Sequence, residues 1–301
     1  MPQSFTLQSP LQSHAVRKRR VLVTGAAGRI GSCFAEQSHQ RYDLRLMVRG
    51  DQKKENVEKI LGFGEVVLAE LSDLSRLKEL CAGIDTVLHL AANPSAAATW
   101  DSLLPDNIVG TYHVFTAAKS AGVRRVIFAS SIHAVSGYRA DVQVKSTDPV
   151  NPGDLYGVTK CFGEALARYM AEQENVSAIC LRIGGFQPLE YARDEKGIAM
   201  LDAWVSRRDL VQLIQRCIDD ETLRFAIFAG LSDNRFKRMD ITDARELLGY
   251  APEDAATREV PKVKDLHLDE RVIAHNTRDD HQPPGTRNET GSPPQKRRNR
   301  G

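Results

Sequence analysis

A tyrosine and a lysine four positions apart, Tyr156 and Lys160, are the side chains in this sequence best suited to moving a proton. On one helix, that spacing puts both on the same face. A phenol ordinarily loses its proton at about pH 10, and a neighbouring ammonium, helped by a cationic ring, favours the phenolate and brings it toward working pH. Such a phenolate takes a proton from an alcohol while hydride leaves the same carbon, and a fixed hydroxyl steadies the developing carbonyl oxygen. Ser131 is the candidate hydroxyl. Ser130 and Ser131 directly follow the apolar run Val126-Ile127-Phe128-Ala129 and so sit at the carboxyl end of an expected strand. Ser130 reads equally as a turn residue capping backbone.

Hydride chemistry needs an acceptor, and a second pattern offers it a cradle. Val21-Leu22-Val23-Thr24 reads as a strand, and Gly25-Ala26-Ala27-Gly28-Arg29-Ile30-Gly31 follows it. Gly25 allows a sharp turn, while Gly28 and Gly31 let the backbone approach a pyrophosphate lying on a helix N-terminus. The glycine spacing is three and three, wider at its first step than the general dinucleotide fingerprint. A tight strand-to-helix turn without a ligand would use the same residues. The end of the second strand, Leu46-Met47-Val48-Arg49-Gly50-Asp51, bears on which nicotinamide cofactor fits. An acidic residue there bonds the ribose hydroxyls, whereas arginine accepts a 2′-phosphate. Arg49 and Arg29 lean the reading from NAD toward NADP, Asp51 supports NAD, and both arginines also fit as plain surface charge.

These groups must be positioned by a regular framework. Short β-branched runs alternate with helical patterns from Arg20 onward, which signals βαβ units and a doubly wound parallel sheet. The expected strands are Val21 to Thr24, Leu44 to Val48, Glu65 to Leu68, Thr86 to Leu90, Arg125 to Ala129, Ala178 to Arg182 and Arg224 to Phe228. Helices are expected to start near Gly28, Leu74, Leu103, Asp154 and Arg207, the last with Ser206 and Asp209 at capping-box spacing. Residues 1–18 read as a disordered lead-in whose basic run, Arg17 to Arg20, an organellar transit peptide would share. Residues 19–260 read as one domain, with the substrate part mainly in 183–250. Residues 261–301 read as a disordered, solvated tail, whose basic end Lys296 to Arg300 would alternatively suit targeting or nucleic acid.

Composition narrows the partners. The 301 residues are 42% hydrophobic, enough for one full core, and 41 basic against 39 acidic residues leave a formal charge of +2. No whole-protein field steers such a chain to nucleic acid or an anionic membrane, so small metabolites are the expected partners. No apolar run is long enough to span a bilayer or form a secretory signal core. The five cysteines lie far apart without metal-ligand spacing, which reads as reduced thiols in a cytoplasmic protein and no metal.

Taken jointly, the glycine turn, Tyr156-Gly157-Val158-Thr159-Lys160, His89-Leu90-Ala91-Ala92, Asp106-Asn107-Ile108-Val109-Gly110-Thr111 and Ser130-Ser131 resemble the extended short-chain dehydrogenase/reductase family, the NAD-dependent epimerases and dehydratases, over roughly residues 20–250. Within it, Ser131-Ile132-His133, Leu155 to Glu164, Arg182-Ile183-Gly184 and Met200 to Ser206 resemble uronate dehydrogenases and related sugar 1-dehydrogenases. The resemblance implies an α/β, Rossmann-like doubly wound sheet with a small C-terminal substrate-binding part. It implies catalytic roles for Ser131, Tyr156 and Lys160, with Asn107 supporting a helix kink and a water chain behind the lysine, although Asn107 would serve as a simple helix cap. It implies NAD or NADP contacts from Gly25, Gly28, Arg29, Ile30, Gly31, Arg49, Glu70, Leu71, Leu90, Ala91, Ala92, Tyr156 and Lys160. Substrate contacts would fall on Ser95, Ser131, His133 and Tyr156. Three positions depart from the uronate pattern: Ile132 stands in place of an Asn, Gly185 of a Ser, and Ala199 of the Arg that grips a carboxylate. Burying that carboxylate unpaired costs several kcal/mol, so a neutral sugar fits as well as a sugar acid unless Arg193, otherwise a loop residue, supplies the charge. The expected activity is oxidation of a free sugar or sugar acid at the anomeric carbon to a lactone. A nucleotide-sugar epimerase or dehydratase, and a non-catalytic dinucleotide sensor, are the alternatives. A homodimer is implied by resemblance alone.

Overall fold

The computed structural model describes residues 18–193 and 200–259. In chain order the elements are β1 (Arg20–Thr24), α1 (Arg29–Ser38), β2 (Asp43–Val48), α2 (Lys54–Glu58), β3 (Glu65–Leu68), α3 (Leu74–Cys81), β4 (Thr86–His89), α4 (Trp100–Leu103), a π-helical stretch (Leu104–Gly110), α5 (Thr111–Ser120) and β5 (Arg125–Ser131). A 3₁₀ turn (Ile132–Val135), α6 (Leu155–Glu172), β6 (Ser177–Ile183), β7 (Gly185–Phe186), α7 (Leu189–Arg193), β8 (Trp204–Val205), α8 (Arg207–Asp219), β9 (Phe225–Gly230), α9 (Thr242–Leu248) and α10 (Ala256–Glu259) follow.

Seven strands form one sheet in the order β3-β2-β1-β4-β5-β6-β9, every pair parallel. Helices cover both faces, so β4 and β5 are buried along their whole length, as the unbroken apolar run in β5 foretells. One core layer packs α1 and α8 on the sheet through Phe34, Leu210 and Ile214. The opposite layer packs α3, α5 and α6 through Leu77, Phe115 and Met170. The order reverses at β1, whose neighbours β2 and β4 lead to opposite sides. The carboxyl ends of β1 and β4 therefore open into the crevice where doubly wound sheets bind ligands.

All seven expected strands are present, with instructive differences at their ends. β4 stops at His89 rather than Leu90; the Leu90 amide makes the last bond of the ladder, to the Thr24 carbonyl at 3.3 Å, and also reaches the Thr24 hydroxyl. β5 runs on through Ser130 and Ser131, paired with Arg182 and Ile183. The helix expected near Leu103 begins at Trp100 and widens into the π stretch, where Pro105 has no amide hydrogen for the regular ladder. The capping box before α8 is half formed. Ser206 Oγ accepts from the Asp209 amide at 3.1 Å, but the Asp209 carboxylate turns to Ser232 Oγ and the amides of Glu253 and Asp254. The expected lead-in of residues 1–18, apart from Lys18, the expected tail of residues 261–301 and Ala199 lie outside the described residues. Arg193 closes α7, and its side chain lies outside them too.

Candidate active site

Gly25 adopts φ of +68°, and a side chain there would meet the Ala91 amide nitrogen at 2.9 Å. A side chain at Gly31 would run into the Gly25 carbonyl and the Ala26 backbone. The turn therefore presses main chain against main chain. Gly28 precedes α1 without any side-chain cap, which leaves the amides of the first helical turn directed outward. That is the geometry a pyrophosphate needs, and no side chain competes for it.

The far wall of this turn rests on Thr24. Its hydroxyl lies 2.8 Å from His89 Nδ1 and accepts the amides of Leu90 and Ala91, each at 3.2 Å. Burial, with the Lys160 charge second, pushes the His89 imidazole down to about 3, so it stays neutral and can serve as a fixed partner.

A cleft of about 640 Å³ runs from this cradle to Tyr156. Gly25, Gly28, Arg29, Ile30, Gly31 and Arg49 line it, together with Leu71, Leu90, Ala91 and Ala92. Ser131, Tyr156 and Lys160 line it as well. The Asp154 side chain caps α6 by accepting the Gly157 amide at 2.7 Å, and α6 then presents Tyr156 and Lys160 one turn apart, both buried. Lys160 Nζ donates to the Ala129 carbonyl at 2.8 Å and lies 5.5 Å from the centre of the Tyr156 ring. Burial brings its ammonium down to about 8.

The tyrosine departs from expectation. Burial, the largest influence, raises its phenol above the ordinary value; a hydrogen bond with the Ser131 side chain opposes this and the Asp154 charge adds to it. The lysine is engaged by backbone, and desolvation dominates at the phenol. Ser130 is no backbone cap: its hydroxyl donates to Glu164 Oε1 at 2.6 Å.

Other candidates fall beside the cleft. Asn107, 2% exposed within the π stretch, donates to Thr159 Oγ1 at 3.0 Å and the Asn93 carbonyl at 3.1 Å, and accepts the Asn93 amide at 2.8 Å. It joins the β4 loop to α6 next to Lys160. Glu70 accepts the Gly50 amide at 3.1 Å and stitches the β2 and β3 loops together instead of lining the cleft. Ser95 is exposed and also off the lining, because its amide donates to Asn93 Oδ1 and folds that loop back on itself. His133 is not on the lining; its Nδ1 lies 2.6 Å from Asp154 Oδ2 and its ring meets Tyr156 edge-on at 5.3 Å. Ile132 packs toward a small apolar cluster containing Val144 and Met239.

Sequence reasoning missed Gln52, Asn93, Asp106, Phe186 and Gln187, all of them on the lining. Asn93 directly follows the His89 to Ala92 motif and was within reach of a motif reading. Phe186 and Gln187 carry no such signal. They reach the cleft because Arg29 donates across its mouth to the Phe186 carbonyl at 2.9 Å and to Gln187 Oε1. Arg49 is likewise engaged, its Nε 3.2 Å from Asp51 Oδ1 and its Nη1 3.5 Å from Asp106 Oδ2.

Comparison with known proteins agrees with this geometry. The chain is 36% identical to a NAD-dependent glucose-6-phosphate dehydrogenase of Haloferax volcanii, covering 78% of this chain and 93% of the relative. It is 32% identical to an L-arabinose 1-dehydrogenase (NAD(P)(+)) of the same organism, covering 78% and 96%. The fold is similar to the crystal structure of a uronate dehydrogenase from Agrobacterium tumefaciens, with a TM-score of 0.68, 30% identity and coverage of 89% and 92%. The model of the NAD dependent epimerase/dehydratase family matches residues 21–186, the span from β1 to β7 that holds the glycine cradle, Ser131, Tyr156 and Lys160, and the chain belongs to that family.

Proposed function

We propose that this protein is a NAD-dependent dehydrogenase that oxidises an aldose or aldose derivative at its anomeric carbon to the lactone. The observation that carries the reading is the single cleft that has a pyrophosphate cradle at one end and Ser131, Tyr156 and Lys160 at the other. The residues present fit a dinucleotide: the turn has glycine where backbone meets backbone, and α1 offers uncapped amides. When bound, the nicotinamide ring supplies the hydride acceptor and a positive charge beside the phenol.

The chain's own groups do the rest. Tyr156 Oη takes the proton of the anomeric hydroxyl, and Ser131 Oγ donates to the oxygen as it becomes a carbonyl. Burial raises the Tyr156 phenol, so a neighbouring positive charge is what favours its phenolate. Lys160, anchored on Ala129 O, supplies a fixed ammonium on the phenol's inner side. Asn107 holds the loop and helix that flank this group.

NAD is favoured over NADP on this reading. Both arginines that lean toward NADP are engaged, Arg29 with Phe186 and Gln187, and Arg49 with two carboxylates that would repel a 2′-phosphate. The substrate is favoured as a neutral or phosphorylated aldose over a uronate. Ile132 and Gly185 replace polar residues of the uronate pattern, and Ile132 turns to an apolar cluster. A nucleotide-sugar epimerase or dehydratase is the weaker reading, since relatives 31–36% identical over at least 78% of this chain are dehydrogenases of sugars, a sugar phosphate or uronates by name.

The test mixes the purified protein with NAD or NADP and a panel of aldoses, aldose 6-phosphates and uronates, following absorbance of the reduced nicotinamide. A rise that needs both sugar and NAD is expected. No rise with any sugar, together with nicotinamide retained through purification, would move the assignment to an epimerase or dehydratase.

A further inference from the structure

Glu164 lies one helical turn beyond Lys160 on α6, 4% exposed, and faces Arg182 of β6, 3% exposed. The pair is bidentate: Arg182 Nε donates to Glu164 Oε1 and Nη2 to Oε2, both at 2.9 Å. A buried ion pair of this kind gains little over well-packed apolar residues, because desolvating two charges offsets their attraction. Stability alone therefore does not account for it. A third partner does: Ser130 Oγ donates to Glu164 Oε1 at 2.6 Å, and Ser130 stands opposite Arg182 in the register of β5 and β6.

We infer that Glu164, clamped by Arg182, holds the end of β5 through Ser130 and so aims the next residue, Ser131, at Tyr156, which makes Ser130 and Glu164 positioning residues for the proton transfer. The chain of contacts is short. Glu164 is fixed from α6 and β6, Ser130 is fixed by Glu164, and one peptide bond separates Ser130 from Ser131, whose side chain acts to lower the phenol. Besides Ser131 from β5, the phenol is faced by Lys160 from its own helix, Asp154 from the helix cap and His133 from the 3₁₀ turn. Around Glu164 stand Arg182 and Cys180 from β6, and Cys161 from α6. The catalytic consequence rests on the proposed dehydrogenase reading, but the hydrogen-bond geometry does not.

Two variants separate positioning from stability. Ser130→Ala removes the tie and leaves the ion pair. Glu164→Gln keeps an amide oxygen for Ser130 but leaves Arg182 without its counter-charge, so it is expected to lose more thermal stability. The Tyr156 phenol is titrated in the NAD-bound protein by NMR of tyrosine labelled at Cζ, assigned with Tyr156→Phe, alongside kcat and KM. Ser130→Ala is expected to raise the phenol's titration by about half a pH unit or more, because a hydrogen bond that favours the phenolate weakens. It should lower kcat by about tenfold with KM for the sugar within about twofold. Glu164→Gln should not raise the phenol despite its lower melting temperature. A Ser130→Ala phenol that titrates like the wild type, or a rise in both variants that follows their loss of stability, overturns the inference. Wild-type protein that turns over no sugar overturns the dehydrogenase reading alone, and the NMR titration still decides this one.

Discussion

Asp154 uses its two carboxylate oxygens for different ends: Oδ1 accepts the Gly157 amide at 2.7 Å and caps α6, while Oδ2 lies 2.6 Å from His133 Nδ1. One side chain thus starts the helix that carries Tyr156 and Lys160 and orients the imidazole that packs on the Tyr156 ring. With Nδ1 committed to the carboxylate, His133 keeps Nε2 for another partner.

Replacing Asp154 separates the two tasks. Asp154→Ala is expected to cost about 1 kcal/mol of stability through the lost cap, read by urea denaturation, and to lower kcat/KM. Asp154→Ser should restore the cap and the stability, yet leave activity low because serine cannot hold the ring as the carboxylate does. Full activity in Asp154→Ser would show that the histidine contact is idle.

Tyr156→Phe removes one oxygen from a buried side chain and leaves the cradle untouched. Turnover should fall by about 100-fold or more, while NADH binding followed by fluorescence stays within about twofold. Oxidation at the full rate would sink the proton-transfer role.

Lys160 carries a pH signature in stability. Its folded value is about 8 against an ordinary 10.5, so the unfolded chain binds the proton more tightly between those limits. Burying the ammonium therefore opposes folding fully below about pH 8, and the protein should gain stability as pH rises toward about 10. The penalty is on the order of 3 kcal/mol. Lys160→Met should flatten this part of the stability profile measured by chemical denaturation, and an unchanged slope would argue that the amine is solvated.

The carboxylates around Arg49 predict the cofactor ratio. NADH should bind more tightly than NADPH, and the double variant Asp51→Asn, Asp106→Asn should shift the ratio toward NADPH by about tenfold by freeing the guanidinium. Equal ratios in wild type and variant, measured by fluorescence titration, would remove Arg49 from cofactor choice.

Much of the framework is written locally. The run Val126 to Ala129 reads as a strand buried on both faces, and Gly25, Gly28 and Gly31 mark a turn where main chain touches main chain. Tyr156 and Lys160 share a helix face by spacing alone. The π stretch was not legible, because widening of the ladder at Pro105 depends on what the surrounding loop and α6 offer Asn107.

By itself, then, the sequence determined the alternation of strand and helix, the glycine turn and the residue types that do proton chemistry, since each follows from backbone sterics and short-range spacing. Tertiary structure alone decided that Arg29 closes on Gln187, 158 positions away, that Glu164 meets Ser130 and Arg182, and that burial raises Tyr156 instead of lowering it. Those outcomes depend on which distant groups exclude water around a charge, and desolvation is a property of the packed molecule that no local pattern encodes.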